Sequence, residues 1–121
     1  MHNLKVLVAD DDRDFAESLA EVLEMWGLEV EIALNGEEAI DKVESCKIDV
    51  LILDRCMPKK SGLEVFEELH EKGMVVPTIV VTAYKFREAD VLEKLETLQV
   101  NKVMSKPVDP IHLVQAIMSL G

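Results

Sequence analysis

Short apolar runs alternate along the chain with longer stretches in which apolar residues recur at helical spacing, and no low-complexity segment or linker interrupts the rhythm. The short runs predict strands over 4–9, 29–33, 48–53, 78–82 and 100–105. In the third, Val50-Leu51-Ile52-Leu53 is continuously apolar, as a strand covered on both faces must be, so this strand is expected at the centre of a sheet. Start signals mark the helices between them. Asn35-Gly36-Glu37-Glu38 offers a capping asparagine, Ser61-Gly62-Leu63-Glu64 has capping-box spacing, and Asp109-Pro110 puts proline at a first helical position. Gly27 and Gly73 stand where a left-handed residue closes the first and third helices. A fourth helix over 86–98 is read from Phe86, Ala89, Leu92 and Leu95. Strict alternation of five strands and five helices predicts an α/β fold, a doubly wound parallel sheet with helices on both faces. With 121 residues, 49% of them hydrophobic, one domain spanning 1–121 is expected.

In an open parallel sheet the ligand crevice forms outside the carboxyl ends of the strands. The residues there are Asp10, Asp11 and Asp12 after the first predicted strand, Asp54 after the third, Thr82 at the end of the fourth and Lys106 after the fifth. Two ionised carboxylates ~4 Å apart repel by ~4 kcal/mol at an effective dielectric near 20. Lys106 offsets part of that, and a carboxylate cluster also suits a hard, oxygen-seeking cation such as Mg²⁺. A carboxylate beside Mg²⁺, a lysine and a hydroxyl is arranged for phosphoryl transfer, in which the protein positions reactants and neutralises charge. Asp54, alone at the end of the most apolar strand, is the expected nucleophile. Asp10 and Asp11 are expected as ligand and support, and Asp12 reads as a helix N-cap rather than a metal ligand.

These residues, spread over the whole chain, resemble the receiver domain of two-component response regulators. Lys5-Val6-Leu7-Val8-Ala9-Asp10-Asp11-Asp12 is similar to the family's opening strand and acidic pair, and Asp49-Val50-Leu51-Ile52-Leu53-Asp54 to its phosphoacceptor strand. Ala33-Leu34-Asn35-Gly36-Glu37-Glu38-Ala39, Met57-Pro58, Ser61-Gly62-Leu63-Glu64, Val80-Val81-Thr82-Ala83 and Lys106-Pro107 complete the pattern. The resemblance implies a flavodoxin-like (βα)5 fold with strand order 2-1-3-4-5 and a cis peptide between Lys106 and Pro107. It implies Mg²⁺ (or Mn²⁺) held by Asp10, Asp11, Asp54 and the backbone carbonyl of Cys56, with Asp54 phosphorylated and Thr82 and Lys106 holding the phosphoryl oxygens. The implied donor is a sensor histidine kinase or histidine phosphotransfer protein. The implied target is a downstream protein bound through the face of the 86–98 helix, the fifth strand and the last helix, by a monomer or a phosphorylation-dependent homodimer. The nearest family type is the stand-alone, chemotaxis-regulator-like receiver, which catalyses only its own phosphorylation and dephosphorylation and is not a turnover enzyme.

One position departs from the pattern. An aromatic residue that changes rotamer usually stands three positions before the lysine, and here it is Val103. Switching must then depend more on backbone movement after Thr82, with Tyr84 as a partial substitute. Arg55 and Cys56 follow the phosphoacceptor, and the positions two past Asp54 (Cys56) and two past Thr82 (Tyr84) flank the phosphoryl group, where the family tunes hydrolysis.

Composition narrows the alternatives. Thirteen Lys plus Arg against 24 Asp plus Glu give a formal net charge of -11, which repels nucleic acid and anionic membranes. Cys46 and Cys56 lack CxxC spacing, so no disulfide framework or zinc site is indicated. The first residues lack the plan of a secretory signal and no apolar run approaches a membrane span, so a cytoplasmic location is expected. His2, His70 and His112 read as scattered surface residues, and Lys59 and Lys60 as a solvated loop pair. A haloacid-dehalogenase-like phosphatase wants an acid two residues after its nucleophile, where this chain has Cys56. A flavodoxin-type binder would set its FMN phosphate against Asp10-Asp11-Asp12, which repels it. A receiver-like module that docks partners without phosphorylation is the remaining alternative.

Overall fold

A computed structural model describes residues 4–55, 57–82 and 102–120. Along the chain run β1 (Lys5–Ala9), α1 (Arg13–Met25), β2 (Glu29–Ala33), α2 (Gly36–Ser45), β3 (Val50–Asp54), α3 (Gly62–Glu71), β4 (Thr78–Thr82), β5 (Lys102–Ser105) and α4 (Pro110–Leu120). The strands form one parallel sheet in the order β2-β1-β3-β4-β5. The predicted 86–98 helix, with Tyr84 and Cys56, lies outside the described residues.

Each helix begins where its sequence signal stands. The Asp12 side chain accepts from the Phe15 amide at 3.1 Å and caps α1, and Asn35 accepts from the Glu38 amide at 2.9 Å to cap α2. Ser61 and Glu64 close the predicted capping box of α3. In α1, Ala16, Leu19, Ala20 and Leu23 recur at helical spacing and are buried, while Glu17, Ser18 and Glu21 face water. Gly27, at φ +84°, takes the left-handed conformation that ends α1; its amide and that of Leu28 satisfy the carbonyls of Glu24 and Leu23.

β3 sits at the centre and all five of its residues are buried. Its side chains alternate between two cores. Val50 and Ile52 join Val6, Val8, Ile79 and Val81 under α1 and α4. Leu51 and Leu53 join Leu7, Ala9 and Ala33 under α2 and α3. The expected 48–53 strand is shifted to Val50–Asp54. Ile48 is buried, but Asp49 turns aside to accept the Lys5 amide at 2.8 Å, and pairing with Val81 carries the ladder through Asp54. Apolarity reports burial, and the ladder sets the strand.

Over the α2–α3 face, Lys60 pairs with Glu68, and Lys72 bridges Glu68 at 3.3 Å to Glu44 at 2.6 Å. No helix among the described residues is long and apolar enough to cross a membrane.

Candidate phosphoryl-transfer site

Ladder bonds that continue past the strands fix the carboxyl edge. The Asp10 amide donates to the Ala33 carbonyl at 3.0 Å, the Arg55 amide to Val81 at 3.0 Å, and the Lys106 amide to Thr82 at 2.8 Å. Asp10, Asp54 and Thr82 are buried there. The backbone thus holds the edge residues before their side chains interact.

Asp10, Asp11 and Asp54 each bring one carboxylate oxygen within 4.8 Å of the others. Asp10 is held twice: Oδ1 accepts the Asp12 amide at 2.9 Å and Oδ2 accepts from Lys106 Nζ at 2.8 Å. Lys106 Nζ also lies 3.7 Å from Asp54 Oδ1, so one ammonium serves two buried carboxylates. Burial works against charge on Lys106. The Asp10 hydrogen bond and the negative fields of Asp54, Asp10 and Asp11 outweigh it and hold its pKa above the ordinary lysine value.

Three carboxylates against one ammonium leave the cluster net negative, and every donor is a hard oxygen. Ligands on an octahedral Mg²⁺ lie about 3 to 4 Å apart, close to the present spread of the carboxylates. The group therefore fits a divalent cation. Asp12 is turned to its N-capping bond with Phe15, as expected, and lies outside this group. An open cleft lined by Asp11, Arg55, Met57, Ser61 and Leu63 adjoins the cluster.

The Lys106–Pro107 peptide is cis, as the resemblance implies. Val103 is half-buried and pairs in register with Val80. His70 and His112 are exposed, on α3 and α4, and neither belongs to the carboxylate group. Two features were absent from the sequence reading. Phe15 lies under Lys106, with Nζ 4.5 Å from the ring centroid. Gly62 lies against the peptide of Asp54, because a Cβ there would stand 2.3 Å from the Asp54 carbonyl oxygen. The first left no signal in the sequence beyond an aromatic residue five positions after Asp10.

The response regulator receiver domain family matches residues 6–118. The chain belongs to this family. Among curated proteins it is similar to the alkaline phosphatase synthesis transcriptional regulatory protein PhoP of Bacillus subtilis, 38% identical over 89% of this chain and 44% of that protein. It is also similar to the response regulator MprA of Mycobacterium avium, 44% identical over 66% of this chain and 35% of that protein. The receiver domain thus spans less than half the length of these relatives. Among solved structures, the receiver domain of the Francisella response regulator 1452 superposes with a TM-score of 0.90 at 27% identity, covering 98% of this chain and 96% of that one. A CheY-like receiver domain protein from Methanospirillum hungatei gives 0.87 at 29% identity, covering 98% and 93%. The observed strand order is the flavodoxin-like order expected of a receiver domain.

Proposed function

We propose that this receiver domain, read as residues 1–121, accepts a phosphoryl group on Asp54 from a phosphohistidine of a sensor histidine kinase or histidine phosphotransfer protein. The observation that carries the reading is the buried Asp10–Lys106–Asp54 arrangement at the end of the central strand, with Nζ 2.8 Å from one carboxylate and 3.7 Å from the other. Asp54 is the nucleophile. Its carboxylate oxygen forms the new O–P bond while the P–N bond breaks, and the histidine nitrogen keeps the electron pair and takes a proton from water. Lys106 neutralises charge on the phosphoryl oxygens, and the Thr82 hydroxyl donates to one of them. Asp10, Asp11, Asp54 and the backbone carbonyl of Cys56 would hold Mg²⁺ (or Mn²⁺). The bound cation would supply charge neutralisation at the same oxygens. Hydrolysis of the acyl phosphate returns Asp54 unchanged, so no separate substrate is turned over.

The phosphoryl group then shifts a conformational population and alters affinity for a downstream protein. β5, α4 and residues 86–98 form the expected docking face, and the exposed Ile111 and Met118 of α4 suit it. The net charge of -11 argues against direct nucleic-acid or anionic-membrane binding by these residues, and a cytoplasmic monomer or phosphorylation-dependent homodimer fits the reading.

The test is the intact-protein mass after incubation with acetyl phosphate, with and without Mg²⁺, on the wild type and on Asp54→Asn. A metal-dependent, base-labile gain of one phosphoryl group, lost in the variant, is expected. Val103 favours a second reading, a docking module independent of phosphorylation. No mass gain in folded, Mg²⁺-bound protein, from either acetyl phosphate or a phosphorylated histidine kinase, would select it.

A further inference from the structure

Four residues of the edge close on one another. The Asp12 amide donates to Asp10 Oδ1 at 2.9 Å, and Asp12 Oδ1 accepts the Phe15 amide at 3.1 Å. The Phe15 ring lies 4.5 Å from Lys106 Nζ, which returns to Asp10 Oδ2 at 2.8 Å. Phe15 is itself fixed, half-buried in the first turn of α1 and packed against the core beneath α1 and α4.

We propose that Phe15 is a positioning residue for Lys106, holding the ammonium over its ring face while the N–H groups change acceptor. An ammonium has three donors, and a hydrogen bond to a carboxylate fixes the direction of one. To reach a phosphoryl oxygen on Asp54, Lys106 must re-aim donors that Asp10 and Asp54 now attract. Attraction to the negative face of an aromatic ring persists as Nζ turns about its own bond. The ring keeps the charge at the edge without competing for an N–H. The half-buried setting places this attraction above that of exposed cation–π pairs.

The kinetic consequence rests on the phosphoacceptor reading, whereas the contact itself does not, and two measurements separate them. In protein carrying ¹³Cε-lysine, the Lys106 ε-methylene protons, assigned by their loss in Lys106→Arg, should lie upfield of the other lysines through the ring current. The shift should vanish in Phe15→Leu and persist in Phe15→Tyr. In the second measurement, the initial rate of phosphorylation by acetyl phosphate at saturating Mg²⁺ should fall about three- to tenfold in Phe15→Leu. It should stay near wild type in Phe15→Tyr and decline stepwise when difluoro- and pentafluorophenylalanine replace Phe15, since fluorination drains the ring face while keeping its shape. Unshifted Lys106 protons in the wild type would overturn the contact. Equal rates across the fluorinated series would reduce Phe15 to packing. A wild type that takes no phosphoryl group would fail the phosphoacceptor reading and leave the proton shifts to decide the contact.

Discussion

Gly62 closes directly against Asp54: a Cβ on residue 62 would stand 2.3 Å from the Asp54 carbonyl oxygen and 3.0 Å from Arg55 Cα. The Gly62 amide donates to the Arg55 carbonyl at 2.9 Å, so the start of α3 is pressed to the proposed phosphoacceptor's backbone and bonded to the residue after it. The obstruction is main chain, which no rotamer change relieves. Gly62→Ala should therefore cost about 1–3 kcal/mol in urea unfolding and slow acetyl phosphate transfer in the protein that remains folded. Wild-type stability and rate together would show that α3 can withdraw without disturbing Asp54.

The loop before α3 holds Lys59 at φ 69°, a left-handed conformation that costs a residue with a Cβ about 1 kcal/mol. Its 3.7 Å pair with Glu37 is exposed and contributes little. Lys59→Gly should raise stability by roughly 0.5 kcal/mol after the added freedom of the unfolded chain is counted, and Lys59→Ala should not. Equal gains from both would trace the effect to charge rather than backbone.

Asp11 is exposed, yet its carboxylate lies within 4.8 Å of two buried ones. Asp11→Asn removes repulsion on the order of 1 kcal/mol, so the metal-free variant should unfold at higher urea than the wild type. Added Mg²⁺, which stabilises a protein by binding its native state, should then help the variant less. A gain with Mg²⁺ equal to that of the wild type would remove Asp11 from the metal set.

The Lys60–Glu68–Lys72 pairs carry a pH signature. The hydrogen bond from Lys60 lowers the Glu68 pKa below 4.5, against an upward push from burial and with help from Lys72. A depressed carboxylate contributes stability above its unfolded pKa and loses it as pH falls through the folded one. Glu68→Gln should be less stable than wild type near neutral pH, and the gap should close as pH falls through and below the ordinary glutamate range. Added salt should narrow the gap at neutral pH. A gap constant with pH would assign it to packing.

Much of this was legible in the residues themselves. β2 and β4 coincide with the predicted runs, and Asp12, Asn35 and Ser61 cap the helices they were expected to cap. Caps and strand runs are local, so a short window of sequence suffices. Asp10, Asp11, Asp54, Thr82 and Lys106 were read as an edge because parallel topology brings strand ends together, and their side chains carry recognisable chemistry. Phe15 and Gly62 carry no such mark. A ring at a helical apolar position reads as core, and a glycine after a capping serine reads as part of the cap; the closeness of each to the site arises only when distant segments pack. The end of β3 was misplaced by one residue for the same reason, because Val81 of a neighbouring strand decides it.

Among the described residues, the two cores described above lie on opposite faces of the sheet and have no side chain in common. Substitutions in one should add to those in the other with little coupling, as they do for sites without shared partners. One layer of helices can then drift during descent, acquiring new outward chemistry, while the other keeps its packing. The carboxyl edge, hung from backbone bonds between strands, depends on neither layer of helices alone. A lineage could exchange its correspondents one at a time and never rebuild the place where the message is written.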